Sequence, residues 1–327
     1  MRAVLCKAFG PPESLVVEET PSPALREGAV RVAVHAAGIN FGDTLMIEGK
    51  YQEKPPFPFT PGFEIAGEIV EIGAGVTELK QGDRVMGTSE NGGYAEEAVV
   101  PAGNLSVIPD AMPYDVAAGF PVAYGTSHGA LDWRAHLQPG ETLLVHGAAG
   151  GVGLTAVEIG KAMGATIIAT ASTQEKLDIA KRHGADHLID YTKEDIKERV
   201  RALTEGRGAD VVYDPVGGDA FDASLRCIAW EGRIIVIGFA GGRVPQIPAN
   251  LVLVKNCDVI GFYWGSYRKR KPAILRHSYR QLFGWWSEGK LKPHISDRFD
   301  LAEVATAMRV LRERRATGKV VLTTGRG

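Results

Sequence analysis

The sequence contains few cysteines and no long apolar segment. Its three cysteines, Cys6, Cys227 and Cys257, are widely separated and form no CxxC pair. An odd, scattered set of thiols argues against a disulfide framework and indicates a reducing compartment, so we expect a cytoplasmic protein. No run of about 18 apolar residues is present, which predicts that no segment spans a membrane. Residues 1–7 also lack the apolar core of a signal peptide.

The chain also lacks an excess of charge of either sign. It carries 37 basic and 39 acidic residues, which gives a formal net charge of -2. This balance favours neither nucleic acid nor an anionic membrane as the main partner. With 327 residues, of which 45% are hydrophobic, the chain is long enough for two domains with buried cores.

Two sequence patterns divide the chain near residue 121. Before this point, short alternating apolar runs such as 29–34 and 68–72 are separated by glycine turns, which predicts an all-β or barrel-like unit. After it, strands alternate with helices, which predicts an α/β fold with a doubly wound, mostly parallel sheet. The expected strands are 143–146, 166–170, 187–190, 211–214, 233–237 and 258–262, and the expected helices are 152–163, 174–183 and 193–204. The tail from about residue 266 should be helical and end in a strand, 319–323, that pairs with the first unit.

A glycine-rich turn follows the first strand of the second part. Ala148, Gly150 and Gly153 occupy the three positions of the G-x-G-x-x-G fingerprint, with alanine at the first. Gly150 lets a pyrophosphate approach the backbone, and Gly153 lets the next helix pack against the strand. Gly151 and Val152 begin that helix, whose free N–H groups and positive dipole end favour phosphate. The turn predicts a dinucleotide site, and a turn that serves packing alone is the alternative.

The end of the second strand indicates which dinucleotide binds. Ala171 stands where NAD-binding proteins carry an acidic residue for the ribose 2′-hydroxyl group, so a 2′-phosphate would meet no repulsion. Ser172 and Thr173 supply hydroxyl groups and Lys176 supplies a cation, a set that suits a 2′-phosphate. The alternative interpretation of Lys176 is an exposed helix lysine. Together these residues predict NADPH as the cofactor.

Four longer motifs give the chain a family resemblance over essentially its whole length. They are residues 37–44 (AGINFGDT), 60–67 (TPGFEIAG), 122–126 (VAYGT) and 147–153 (GAAGGVG). The motifs resemble those of the medium-chain dehydrogenase/reductase superfamily, and within it the zinc-independent NADPH:quinone oxidoreductases, the zeta-crystallin-like branch. The resemblance implies a GroES-like β-barrel domain formed by 1–121 and 266–327, and a Rossmann NADPH-binding domain formed by 122–265. It also implies a homodimer joined through the Rossmann edge strand 258–263.

The residues that bind zinc in the related alcohol dehydrogenases are replaced here. Their metal-binding histidine belongs to a Gly-His-Glu motif, where this chain has Phe63, and their first cysteine ligand falls in the segment that here reads NFGD, 40–43. The four-cysteine loop of their structural zinc site is missing. Because a tetrahedral zinc site needs about four nitrogen or sulfur ligands close together, we predict no bound metal.

The resemblance also implies roles for individual residues. Asn40 and Tyr124 would line the nicotinamide site, and Tyr51 would contact the substrate as a donor or a stacking ring, so these three are the catalytic candidates. Tyr191 would lie near the adenosine. Asp43 and Glu64 are either general acids or structural residues. The other expected cofactor contacts are Gly238, Phe239, Ala240, Phe262, Tyr263, Trp264 and Lys319.

Without a metal that activates an alcohol, reduction of an electron-poor acceptor is the favoured chemistry. The leading hypothesis is transfer of a hydride or electrons from NADPH to a quinone. The alternative within enzymes is reduction of a conjugated C=C bond in an enone, enal or enoyl thioester. The basic run 268–271 slightly favours a thioester on a phosphorylated carrier, although a solvated charge cluster is the simpler interpretation. An NADPH-binding structural or RNA-binding protein is the hypothesis from another class, and the net charge argues against RNA.

The residues around position 171 predict that the protein binds NADPH more tightly than NADH. The repelling carboxylate is absent, and hydroxyl and ammonium groups suited to a 2′-phosphate follow. Fluorescence titration with each dinucleotide would measure the two dissociation constants. An NADH affinity equal to or higher than the NADPH affinity would contradict the prediction.

Overall fold

The computed structural model describes residues 1–326, apart from the side chain of Lys269, a member of the basic run 268–271. The chain forms two compact units. The first comprises Met1–Val122, Lys271–Tyr279 and Pro293–Gly327, and the second comprises Ala123–Arg270 and Arg280–Lys292. The segment 280–292 thus packs with the second unit, whereas the sequence placed the whole tail in the first domain. Trp285 of this segment contacts His128 of the second unit, with 5.6 Å between ring centroids.

The chain forms strands and α-helices, and the longest connection between two of them is residues 48–63. In chain order they are β1 (Arg2–Leu5), β2 (Val16–Glu19), β3 (Ala29–Ile39), α1 (Phe41–Ile47), β4 (Glu64–Ile72), β5 (Arg84–Thr88), β6 (Glu97–Pro101), β7 (Leu105–Val107), α2 (Tyr114–Ala118), α3 (Pro121–His128), β8 (Thr142–Val145), α4 (Gly151–Ala162), β9 (Thr166–Ala171), α5 (Gln174–Arg182), β10 (His187–Asp190), α6 (Ile196–Leu203), β11 (Ala209–Asp214), α7 (Gly218–Cys227), β12 (Ile228–Val236), α8 (Ala249–Lys255), β13 (Asp258–Gly261), α9 (Gly265–Arg270), α10 (Pro272–Ser287), β14 (Ile295–Asp300), α11 (Val304–Arg312) and β15 (Lys319–Thr323).

The first unit is organised around the long strand β3. The main sheet has the order β14-β15-β3-β4-β5-β7, and β6 pairs with the first half of β3. Val30, Val32 and Val34 of β3 are fully buried and pack in one core with Met308 and Leu322 from the C-terminal tail. The last strand, β15, pairs antiparallel with β3, which confirms the expected return of the tail to the N-terminal unit.

The second unit is a parallel sheet with helices between its strands. The strand order is β10-β9-β8-β11-β12-β13, and every neighbouring pair is parallel. The strands read as continuous apolar runs, as expected for a sheet covered on both faces, and Leu144, Ile168, Val212 and Ile234 are fully buried in one core. The prediction of a doubly wound parallel sheet is therefore confirmed.

Several elements differ from the sequence-based expectation, and two of them show a physical reason. The helix expected at 193–204 begins at Ile196, because Asp195 caps it by accepting a hydrogen bond from the Glu198 backbone N–H at 2.9 Å. The preceding residues form a turn in which the backbone N–H groups of Lys193 and Glu194 donate to the carbonyl oxygen of Asp190. Strand β14 was not expected. It is a polar edge strand that pairs with β15, so its contacts are set by tertiary structure and not by an apolar pattern.

The start of α1 buries a carboxyl group. Asp43 is fully buried and accepts a hydrogen bond from the backbone N–H of Asn40 at 2.8 Å. Burial raises the pKa of Asp43 to about 7, a rise that the hydrogen bond from Asn40, the nearby Tyr94 hydroxyl group and the charge of Lys319 oppose. In the unfolded chain the same carboxyl group would titrate near its usual value of about 4.

Asp43 is therefore predicted to make the stability of the protein depend on pH. Because its folded-state pKa is raised, folding takes up a proton between about pH 4 and about pH 7, so the free energy of unfolding falls as pH rises through this window. Asp43→Asn should remove roughly 2–3 kcal/mol of this fall between about pH 5 and about pH 8, as measured by urea unfolding. Asp110→Asn, at an exposed position, should keep the wild-type slope. An unchanged slope in Asp43→Asn would contradict the assignment.

Candidate functional site

The residues expected to bind the dinucleotide follow the C-terminal ends of the parallel strands. In such a sheet all strands end at the same edge, and ligands bind outside this edge where the strand order reverses. Here β8 is followed by β9 on one side and by β11 on the other, so the reversal lies at the turn after β8. The predicted residues that follow the strand ends are Ala148 to Gly153 after β8, Ser172 to Lys176 after β9, Tyr191 after β10, Gly238 to Ala240 after β12 and Phe262 to Trp264 after β13.

The glycine turn is shaped by close backbone contacts. A Cβ atom at Gly153 would lie 2.2 Å from the carbonyl oxygen of Gly147, so α4 packs against the turn only because this side chain is absent. A Cβ atom at Gly150 would lie 3.3 Å from the same oxygen, a tight contact, so this position also favours glycine. The first-turn N–H groups of α4, including those of Gly151 and Val152, have no partner inside the helix. This cradle fits a pyrophosphate.

The end of β9 provides a second set of polar groups beside the turn. Ala148 is buried, and its backbone N–H donates to the carbonyl oxygen of Thr170 at 3.1 Å, which ties the turn to β9. Thr173 caps α5 by accepting from the backbone N–H of Lys176 at 3.3 Å, so the Thr173 hydroxyl still has its hydrogen to donate. Ser172 and Lys176 are partly exposed. Tyr191 is held next to this group, because its backbone N–H donates to the carbonyl oxygen of Ala171 at 3.2 Å.

The aromatic residues after β12 and β13 differ in what they present to solvent. Phe239 and Tyr263 are exposed, whereas Phe262 and Trp264 are buried. The Trp264 ring packs so closely on α3 that a Cβ atom at Gly125 would lie 2.8 Å from its Nε1 atom. A ligand at this edge would therefore meet the backbone of Phe262 and Trp264 and not their rings.

Tyr124 points its hydroxyl group away from the sheet edge and into the protein. The phenol donates to Glu158 Oε2 of α4 at 2.5 Å, and Glu158 Oε1 accepts from the backbone N–H of Lys292 at 3.0 Å and lies 2.6 Å from His183 Nδ1. Burial, followed by the charge of Glu158, raises the pKa of Tyr124 well above its usual value. The residue is almost fully buried. Its phenol thus has a structural partner, and the catalytic role expected for Tyr124 stays a prediction.

Buried hydroxyl groups hold the first turn of α4 in place. Ser127 Oγ donates to the carbonyl oxygen of Val152 at 2.9 Å and lies 2.7 Å from Thr155 Oγ1 and 2.9 Å from the Tyr213 hydroxyl. Neither this cluster nor the role of Glu158 was predicted from the sequence. A usable signal was present, because Glu158 is the one acidic residue of a mostly apolar helix.

A buried ion pair lies in the first unit. Lys319 Nζ donates to Glu64 Oε1 at 2.7 Å, to Asn40 Oδ1 at 2.7 Å and to the carbonyl oxygen of Ile39 at 2.9 Å. Glu64 Oε1 also accepts from Asn40 Nδ2 at 2.9 Å, and Glu64 Oε2 accepts from the backbone N–H of Val122 at 2.8 Å. The family resemblance implied that Lys319 reaches the cofactor. In the structure its three N–H donors are used within this cluster, so its contact with a cofactor stays a prediction without structural support.

Tyr51 and Phe63 lie beside the segment that begins with Asn40. Their ring centroids are 5.1 Å apart, and both rings contact the position of Gly42, where a Cβ atom would lie 2.9 Å from Phe63 and 3.2 Å from Tyr51. The first unit thus brings Asn40 and Tyr51, two of the catalytic candidates, to the same short stretch of chain. Phe63, at the position of the metal-binding histidine, fills this space with an apolar ring.

Two features are absent from the described part of the chain. No group of three or more His, Cys, Asp or Glu side chains in residues 1–326 is arranged to hold a metal ion. No helix in that part of the chain has the length and apolar character needed to cross a membrane.

Comparison with known families matches both halves of the chain. Residues 26–110 match the model described as the alcohol dehydrogenase GroES-like domain, and residues 151–282 match the model described as zinc-binding dehydrogenase. These matches, with the sheets described above, confirm the expected combination of a GroES-like domain and a Rossmann domain.

Individual relatives agree over almost the whole length. A quinone oxidoreductase-like protein 2 homolog from Nematostella vectensis is 49% identical, covering 99% of this chain and 89% of the relative. A quinone oxidoreductase from Pseudomonas aeruginosa is 39% identical, covering 96% of this chain and 97% of the relative. The crystal structure of Escherichia coli quinone oxidoreductase complexed with NADPH is 30% identical with a TM-score of 0.93, covering 99% of this chain and 100% of that one. The chain therefore belongs to the quinone oxidoreductase branch of the medium-chain dehydrogenase/reductase superfamily.

Proposed function

We propose that this chain is an NADPH-dependent oxidoreductase that reduces quinones without zinc. The observation that carries the proposal is the glycine turn at the reversal of the parallel sheet, followed by Ala171 where an acidic residue would select NADH. Its relatives named quinone oxidoreductase, one of them solved with NADPH, support the same cofactor and acceptor class.

The second unit supplies the groups that would hold the cofactor. The N–H groups at the start of α4 would bind the pyrophosphate. The Thr173 hydroxyl and the Lys176 ammonium would bind the 2′-phosphate, and Tyr191, 47% exposed, would cover the adenosine. The backbone of 238–240 and 262–264 would enclose the nicotinamide portion. When bound, NADPH supplies the hydride, and the protein orients it and excludes water.

The first unit supplies the groups proposed for the acceptor. Asn40 would donate a hydrogen bond through its amide, and Tyr51 would stack on the acceptor or donate through its hydroxyl. Zinc independence is supported by Phe63, which has no donor atom at the position of the metal-binding histidine. It is also supported by the segment 40–43, which contains no cysteine and whose Asn40 is already bonded to Lys319 and Glu64. A site of this kind suits acceptors that are already electron-poor.

The edge of the parallel sheet supports a homodimer. β13 pairs with β12 on one side, and in the described chain no strand covers its other side. Leu253 and Val254, just before β13, are each 76% exposed. Because an uncovered edge strand is a template for pairing with another chain, we propose that two copies join through β13.

The proposed activity predicts NADPH oxidation with a simple quinone. In steady-state assays with NADPH, 1,4-benzoquinone should give a kcat/KM at least about tenfold above that of an enone or an enoyl thioester, since the site offers hydrogen-bond donors and no metal. A higher rate with the enone or thioester would favour the conjugated C=C reductase. Tight NADPH binding without turnover of any acceptor would favour the binding or structural protein.

Zinc independence predicts that removing metal leaves the activity intact. Untagged protein should contain far less than one zinc per chain by elemental analysis, and dialysis against a chelator should leave benzoquinone reduction unchanged. The physical reason is the absence, among the described residues, of a set of ligands able to hold the ion. Stoichiometric zinc in purified protein, or loss of activity that zinc restores, would refute the proposal.

A further inference from the structure

The side-chain amide of Asn40 has a single orientation that its neighbours accept. Its Oδ1 atom accepts from the Lys319 ammonium at 2.7 Å, and its Nδ2 atom donates to the Glu64 carboxylate at 2.9 Å. Rotating the amide by 180° would place its NH2 group against the ammonium, donor against donor, and its C=O group against the carboxylate, acceptor against acceptor. The Lys319 and Glu64 side chains are 7% and 0% exposed, so water cannot replace the lost bonds.

All three donors of the Lys319 ammonium are used inside the first unit. An ammonium group has three donors, and those of Lys319 go to Ile39, Asn40 and Glu64. No donor remains for a phosphate, a nicotinamide or an acceptor.

Glu64 is held on its other side as well. Its Oε2 atom accepts from the backbone N–H of Val122 in the first turn of α3, where a negative charge is favourable. The space around Oε1 is closed, because a Cβ atom at Gly38 would lie 2.3 Å from it. The carboxylate therefore cannot rotate away from Asn40 without breaking a backbone hydrogen bond.

One N–H of the Asn40 amide is left over. The Nδ2 atom carries two hydrogens, one of which goes to Glu64, and the described residues contain no acceptor for the second. Asn40 is partly exposed, so a ligand can approach it. We propose that Lys319 is a positioning residue, which together with Glu64 fixes the Asn40 amide so that its second N–H donates to a carbonyl oxygen of the electron acceptor. The inference rests on the proposed function, because it concerns the acceptor of that reaction.

The chemical use of such a donor follows from the charge that develops during reduction. A hydride consists of two electrons and one proton. When a quinone takes up one hydride, NADPH becomes NADP⁺ and a negative charge develops on a quinone oxygen. A proton from water then completes the hydroquinone. A donor that is already oriented stabilises this charge without reorganisation. The ammonium of Lys319, bonded to the amide oxygen, polarises the amide and strengthens its N–H as a donor.

A double-mutant cycle tests the coupling between the two residues. With NADPH and 1,4-benzoquinone, Asn40→Ala and Lys319→Met should each lower kcat/KM by about 10–100-fold, mainly through kcat. The kcat/KM of the double variant should be no lower than that of the less active single variant, because Lys319 acts through Asn40. Lys319→Arg should recover part of the activity. The exposed Lys7→Met, in the same unit, is the matched control and should match wild type. Multiplicative losses in the double variant would overturn the proposal.

A second readout does not depend on turnover. In protein labelled with ¹⁵N-asparagine, the Asn40 side-chain NH2 pair, assigned by its loss in Asn40→Ala, should exchange slowly with water in the wild type and rapidly in Lys319→Met. If Lys319→Met fails to fold because Glu64 is left unpaired, the double variant Glu64→Gln/Lys319→Met removes both charges together and is used in its place.

Unchanged Asn40 signals in the folded variant would overturn the positioning role. Inactivity of the wild type with every acceptor would contradict the proposed function, whereas Lys319-dependent Asn40 signals in that protein would still support the positioning role.

Discussion

The buried contact between Lys319 and Glu64 holds the first unit together at the point where its elements converge. Lys319 begins the last strand, Ile39 ends β3, Glu64 begins β4, and the Glu64 carboxylate bonds to the start of α3 through Val122. Removing one partner of a buried ion pair leaves an uncompensated charge and costs about 3–5 kcal/mol. The same contact that joins the two ends of the chain therefore also fixes Asn40, so stability and the geometry of the candidate site depend on one interaction.

The second unit positions its candidate site in another way. The order of the parallel strands brings the turn after β8 and the ends of β9, β10, β12 and β13 to one edge of the sheet. The finer placement comes from buried polar groups behind the edge. Ser127 bonds to the first turn of α4, and Glu158 in the third turn of that helix bonds to Tyr124 and lies against His183. These contacts fix α4, so buried polar residues determine where the groups proposed to bind phosphate lie.

The features that the sequence predicted well are those that depend on neighbours along the chain. The turn after β8, the helix that follows it and the parallel pairing of β8 with β9 were predicted from residues within one βαβ unit. The partner of Lys319 did not follow, because Glu64 lies 255 residues away and no local pattern links the two. The phenol of Tyr124 was assigned to the nicotinamide site by resemblance, yet its hydroxyl group bonds to Glu158 from a helix that begins 27 residues later. Strand β14 escaped prediction for the same reason, since its only strand partner, among the described residues, is β15.

The difference between an ammonium and a metal ion helps to explain which acceptors suit this site. A zinc ion binds the reacting oxygen directly and stabilises a full negative charge, which makes alcohol chemistry accessible. The cation of Lys319 lies behind an amide, so in the proposed arrangement the acceptor meets a polarised but neutral N–H group. A neutral donor stabilises less charge than a metal in contact. In the proposed arrangement the acceptor would therefore carry part of the stabilisation in its own conjugated system, as quinones do. The apolar ring of Phe63 and the burial of Lys319 would both restrict the proposed site to such acceptors.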